Sequence, residues 1–317
     1  MLRGIFQRLA QGDAPRAERA PHASRTTGGG VATSRSPADL LRLLADQPLD
    51  PNLHLEYAAA VLNAGSPYLA LAELNTARFL GADSDDLAEI DRQLRASLPD
   101  PLLMNHNQYF RLASLASEVR RIGRDDSLAI LDVGGGDGRL AAFLPGDRYC
   151  LAEPTSNGIS GLALPFADNA FDLVVSCHVL EHIPINDRTG FLDQLLSRSR
   201  HGVILLNPFE VEGNDSGERL RLFIEVTGAQ WAREHLDCSL PRLDDIRAYA
   251  NARGIRASIK PNGTLSTSIA LVFLDHFAEK CGAHAEWAKV NRYFNEKLVA
   301  FMDSESLPNA YLVYLER

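Results

Sequence analysis

From Ile130 to Leu140 the chain reads ILDVGGGDGRL, where a run of strand formers stops in glycines and a helical pattern restarts beyond them. Such a break predicts an α/β sheet whose strand ends at a nucleotide-type binding turn. Glycine supplies left-handed backbone angles there, and lets the main chain approach a bound group with no Cβ in between. Gly134, Gly135, Gly136 and Gly138 make up the turn. The dinucleotide fingerprint G-x-G-x-x-G wants its third glycine at 139, where Arg139 stands, so an NAD-dependent enzyme is disfavoured. For any such turn taken alone, a tight connection between strand and helix is the plain alternative.

The 317 residues exceed the usual single-domain length, which predicts one α/β domain with a smaller appendage. No apolar run approaches the roughly 20 residues that span a bilayer, so no transmembrane segment is expected. Cys150, Cys177, Cys238 and Cys281 form no C-x-x-C pair. That speaks against a zinc site or a disulfide framework and for a reducing, cytoplasmic setting; no metal is expected. A net charge of −9 disfavours a nucleic-acid footprint, which needs a basic face, and leaves small molecules as the expected partners.

Three regions follow from composition. Residues 1–36 carry six arginines against Asp13 and Glu18, with Gly28 to Gly30 and many small polar residues; they read as a disordered tail. Its start, MLRGIFQRLA, has the pattern of a short amphipathic helix, so weak surface anchoring or targeting stands beside the reading of a solvated tail. Residues 37–104 turn helical, punctuated at Asp50-Pro51, Gly65-Ser66-Pro67 and Gly81, and three helices fit the gaps. Two of them, LHLEYAAAVLNAG and PYLALAELNTARFLGA, resemble a tetratricopeptide hairpin, either as a module for a protein partner or as a helical cap or dimerisation surface. So short a hairpin is expected to pack on the next domain, residues 105–317.

Within that domain a second strand is expected over Arg148 to Ala152, followed by Glu153-Pro154. Glu153 stands nineteen positions after Gly134, close to the interval at which a carboxylate at a strand end takes the hydroxyls of a ribose. Residues 162–184, LALPFADNAFDLVVSCHVLEHIP, hold a buried parallel strand over Phe171 to Cys177. The turn G-x-G-x-G behind Asp132, together with the L-P-F-x-D-x-x-F-D and V-L-E-H segment, resembles the class I S-adenosylmethionine (SAM) methyltransferases of the branch acting on small molecules, quinones, lipids and sugars.

The resemblance implies a Rossmann-like, seven-stranded class I methyltransferase sheet beside the N-terminal all-α hairpin region, with a helical insertion at about 263–304. It implies S-adenosyl-L-methionine as cofactor. Asp132, Gly134, Gly135, Gly136 and Gly138 would hold its methionine and sugar region, Glu153 with Pro154 the ribose, and the strand exit at Cys177 and His178 would pass beside the methionine. Glu181 to Pro184 would form the active-site rim. Only ten residues separate Glu153 from Leu164, which shortens that sheet edge and leaves the adenine to Ser160, to backbone groups or to a neighbouring side chain. His106, Asn107, Tyr109 and Phe110 are candidates for acceptor contacts, the two aromatics also for core.

Asn207-Pro208-Phe209 follows the fifth strand, the wrong place for the N-P-P-Y motif of amino-group methyltransferases. The resemblance implies a hydroxyl on a small molecule, sugar or lipid-linked glycan as the acceptor. A hydroxyl needs a base, and histidine suits that near neutral pH. His178, His182 and His235 are the candidates, each with packing as its alternative; Trp231 and Glu234 would shape the same pocket. The competing function is a non-catalytic interaction protein that works through the hairpin and carries a degenerate methyltransferase domain.

Overall fold

The computed structural model describes residues 35–124, 126–211, 216–230, 232–233, 239–297 and 307–317. The expectations on the tail up to residue 34, and those on Trp231, Glu234, His235 and Cys238, lie outside the described residues.

Among the described residues, the stretch 37–104 holds four α-helices, not three: α1 (Pro37–Asp46), α2 (Pro51–Asn63), α3 (Pro67–Leu80) and α4 (Asp86–Ser97). The first three open on a proline behind Ser36, Asp50 or Ser66, and the side chains of Ser36 and Asp50 accept the orphan N–H groups of the first turn. Gly81, at φ 97°, closes α3 in the left-handed region. The fourth helix arises because Ile90 and Leu94 recur at four residues after that stop. They return to the core of Leu40, Leu44, Tyr57, Ala58 and Leu74.

Helix α5 (His106–Gly123) leads into β1 (Ala129–Val133) and β2 (Arg148–Ala152), with a short 3-10 turn, Arg139–Phe143, between them. Then come β3 (Phe171–Cys177), α6 (Arg188–Arg198), β4 (Ser199–Asn207), α7 (Ser216–Thr227), α8 (Leu243–Arg253) and β5 (Arg256–Thr264). Helices α9 (Leu265–Lys280) and α10 (His284–Lys297) precede β6 (Pro308–Glu316). The strand order is β2-β1-β3-β4-β6-β5, with the first four strands parallel and β6 antiparallel to both neighbours.

Alternation divides each strand between two layers. Leu131, Val133, Val174 and Leu205 meet Phe191 and Leu195 of α6 and Ile246 of α8 on one face. Ile130, Leu173, Val175 and Leu206 meet Leu115 and Val119 of α5 on the other.

The expectation of seven strands is corrected to six among the described residues, because between Glu153 and Phe171 the chain turns without making a helix or a strand. Helix α3 takes the place beside β2. Thr76 Oγ1 accepts the edge N–H of Leu151 at 3.0 Å, and Asn157 Nδ2 donates to the Leu151 carbonyl at 2.9 Å. Phe79 stacks on Phe171 with centroids 4.7 Å apart, and the Arg148 guanidinium lies over the Phe79 ring. Thr76 of α3 and Asn157 of the turn after β2 thus satisfy backbone groups that a further strand would otherwise pair.

Candidate functional site

From β1 the chain reaches β2 on one side and β3 on the other, so the winding reverses at the carboxyl ends of β1 and β3. Open α/β sheets bind ligands at such a point. The glycine turn sits there. Gly134, Gly136 and Gly138 all have positive φ, at 77°, 60° and 72°. Their surroundings differ. A Cβ at Gly134 would fall 2.2 Å from Val179 Cγ2, at Gly135 2.3 Å from Asp132 Oδ2, and at Gly138 2.2 Å from Ala72 Cβ on α3. At Gly136 it would meet nothing within 4 Å. Gly136 is the position whose backbone faces open space, whereas the missing side chain of Gly138 serves helix packing.

Glu153 reaches that same glycine. Its Oε2 accepts the Gly136 N–H at 3.2 Å, while Oε1 accepts the Thr155 N–H and hydroxyl at 3.1 and 2.8 Å. Ser156 donates to the Gly136 carbonyl at 2.7 Å. Beneath them Asp132 is buried; Tyr149 donates to its Oδ2 at 2.6 Å, and Oδ1 has no hydrogen-bond partner among the described residues. Burial pushes the Asp132 carboxyl up to about 7 against the opposing Tyr149 hydrogen bond, with the Glu153 charge adding to the rise. Pro154 is exposed, and the Ser160 hydroxyl accepts the Leu162 N–H at 3.3 Å.

At the exit of β3 the Cys177 thiol is pushed up to about 12 by burial. His178 follows in the left-handed region, at φ 56°, and its N–H donates to the Leu206 carbonyl at 2.8 Å. That turn directs Nδ1 to Glu181 Oε1 at 3.1 Å, and Asn207 donates to the other oxygen. Glu181 is therefore a buried anchor rather than part of a rim. Burial works against its charge, yet the His178 hydrogen bond and the nearby imidazoles hold its carboxyl below the usual range.

His178 and His182 both line a cavity of about 920 Å³. Its walls come from α5 and its N-cap (Asn105, Asn107, Gln108, Arg111), from the exit of β4 (Pro208, Phe209, Glu210) and from α9 (Ser268, Val272, Asp275, His276). Helix α9, which falls in the stretch 263–304, thus faces this space. Among the acceptor candidates only Asn107 lines it, its amide donating to the Ser268 carbonyl at 3.0 Å. His106 is buried, its ring Nδ1 2.7 Å from Asn295 Oδ1 and its backbone N–H donating to Asn291 Oδ1, and these two bonds tie α5 to α10. Tyr109 packs edge-on against Phe143, and Phe110 lies in the core under Gly263.

Sequence reasoning missed Arg111, Glu210, Asp275 and His276 on the cavity wall. The first stands one helical turn after Asn107, a spacing that placed it on the same face. It also missed Asn157, whose Oδ1 accepts the Glu153 N–H at 3.0 Å; nothing in its neighbourhood of turn formers marked it.

Residues 104–256 match the family profile of a methyltransferase domain. An "uncharacterized methyltransferase" of Mycobacterium avium is 31% identical over 152 residues, covering 39% of this chain and 58% of that protein. Another from Mycobacterium marinum is 30% identical over 172 residues, covering 45% and 66%. The chain thus spans roughly three fifths of the length of the relatives it matches. Among solved structures, Haemonchus contortus phosphoethanolamine N-methyltransferase 2 in complex with S-adenosyl-L-methionine aligns with a TM-score of 0.39 at 13% identity, covering 64% of this chain and 52% of that one.

Proposed function

We propose that the α/β unit is a SAM-dependent methyltransferase of the cell interior, acting on a hydroxyl of a small-molecule, sugar or lipid-linked acceptor. The observation that carries the reading is the meeting of Gly136 and Glu153 above Asp132 at the point where the winding reverses. An open backbone at Gly136 and an orphaned buried carboxylate oxygen on Asp132 suit a ligand with a sugar diol and a positive charge. The match of residues 104–256 to a methyltransferase domain supports the same reading.

In this reading Glu153 takes the ribose hydroxyls, since a carboxylate accepts two donors at once. Asp132 and the turn from Gly134 to Gly138 face the remainder of the cofactor, and Ser160 is the proposed side chain near its base. When bound, the cofactor supplies an electrophilic methyl group. The chain's own contribution is chiefly alignment, because an in-line displacement gains most from holding its partners at near-contact distance. The acceptor occupies the cavity between α5 and α9, positioned by Asn107 and Arg111. His178, whose Nδ1 is held by Glu181, and His182 are the proposed bases for the hydroxyl proton.

The interaction-protein alternative is not favoured, because one side of the hairpin is engaged: α3 is spent on the edge of β2. Calorimetric titration with SAM and S-adenosylhomocysteine tests the proposal. Micromolar binding that weakens at least about tenfold in Glu153→Ala is expected, the loss of one charge-assisted pair. A folded wild-type protein that binds neither ligand rules the assignment out.

A further inference from the structure

Glu153 stands just past the last paired residue of β2, where the sheet no longer fixes the backbone. What holds its N–H is Asn157, a fully buried side chain whose amide is completely used. Oδ1 accepts from Glu153 N at 3.0 Å and Ile159 N at 3.3 Å, while Nδ2 donates to the Leu151 carbonyl at 2.9 Å and to Glu73 Oε1 at 3.0 Å. Two donors on one side and two acceptors on the other leave the amide a single orientation.

Glu73 belongs to α3, and it too is fully buried, its second oxygen 2.5 Å from His54 Nδ1 on α2. His54 Nε2 meets the Pro48 carbonyl at 2.9 Å. A line of partnered polar atoms therefore runs from the first helices of the chain to the backbone of Glu153. The residue before Glu73 bears the other half of the site. Ala72 Cβ occupies the space that a side chain at Gly138 would need, so the glycine turn rests on α3 as well. Adjacent residues of one helix thus seat the two loops that meet at Gly136 and Glu153.

We propose that α3 is the template of the cofactor pocket, with Glu73 and Asn157 acting as positioning residues that set the place of Glu153. The inference rests on the reading of Glu153 as the ribose carboxylate. Buried ion pairs contribute little net stability, so a pair such as His54–Glu73 is better placed to specify geometry than to strengthen the fold. The ribose side of the pocket then depends on residues about 80 positions earlier in the chain.

Calorimetry with S-adenosylhomocysteine on the full chain tests this, reading the dissociation constant and the stoichiometry separately. Glu73→Leu is expected to weaken binding about tenfold at unchanged stoichiometry, since it leaves the Asn157 amide without its anchor. Glu73→Gln keeps an acceptor for Asn157 and is expected to restore affinity to within about threefold of wild type. In a Glu153→Gln background, Glu73→Leu is expected to add less than about twofold, the signature of two residues acting through one contact. Should Glu73→Leu fail to fold, Asn157→Ala carries the same expectations. A lower melting temperature or stoichiometry with an unchanged dissociation constant overturns the proposal in favour of simple packing. Weakening by Glu153→Gln but by neither Glu73→Leu nor Asn157→Ala overturns the positioning role while the ribose reading stands. An affinity untouched by Glu153→Gln overturns both.

Discussion

Asp132 concentrates the physics of the site in one side chain. Its raised carboxyl keeps a proton in the folded protein over a range in which the unfolded chain has released it, so the native state binds more protons between about pH 4 and 7. Stability contributed here falls as pH rises through that window. Asp132→Asn retains an acceptor for Tyr149 and is expected to match wild type near pH 4. By pH 8 it should be more stable by an amount on the order of 4 kcal/mol, read from urea midpoints across pH. The same variant is expected to bind SAM more weakly, having lost the charge opposite a cation. Two glycines separate fold from site in a parallel way. Gly138→Ala drives a Cβ into Ala72 and should cost about 2 to 4 kcal/mol of stability. Gly136→Ala meets open space and should cost only about 1 kcal/mol of left-handed strain while impairing cofactor binding; thermal melts paired with calorimetry distinguish the two.

Among the elements, the exchange of a strand for a helix at the edge of β2 is where side chains replace a ladder. Thr76→Val keeps shape but removes the acceptor for Leu151 N–H, leaving that donor buried and unpaired. A loss of about 1 to 3 kcal/mol is expected in chemical denaturation. The His54–Glu73 pair adds a second pH dependence. Burial would depress the imidazole, but the Glu73 hydrogen bond and charge outweigh it and raise the pKa above its usual value. That contribution is complete below about pH 6.5 and is lost as pH rises through the raised value, a decline that His54→Gln should abolish in melting curves across pH.

Most elements were legible. Arg148 to Ala152 and Phe171 to Cys177 carry their bounds in hydrophobic pattern and punctuation, and the structure keeps those bounds. The order of the glycine turn, Glu153 and the V-L-E-H stretch could be read because each follows a strand end. The burial of Glu181 and the role of His106 could not, since a polar residue inside the core and one on its rim look alike until their partners are known. Thr76, Ala72 and Glu73 are ordinary helix residues, and nothing local ties them to a strand far along the chain.

For the molecule as a whole, the described residues belong to one compact unit, and the helical region shares its boundary with the sheet over α3. Unfolding followed by far-ultraviolet circular dichroism and by tryptophan fluorescence should therefore coincide in urea. A chain beginning at residue 105 should expose the β2 edge and Leu151, and is expected to aggregate in size-exclusion chromatography. The seating of Leu151 on Thr76 also has a bearing on synthesis. The partner of the strand precedes it by 75 residues, so α3 has left the ribosome well before β2 is made. Each newly made copy thus has the partner of the Leu151 N–H outside the ribosome before the strand emerges, and only Asn157, six residues further on, remains to cap its carbonyl.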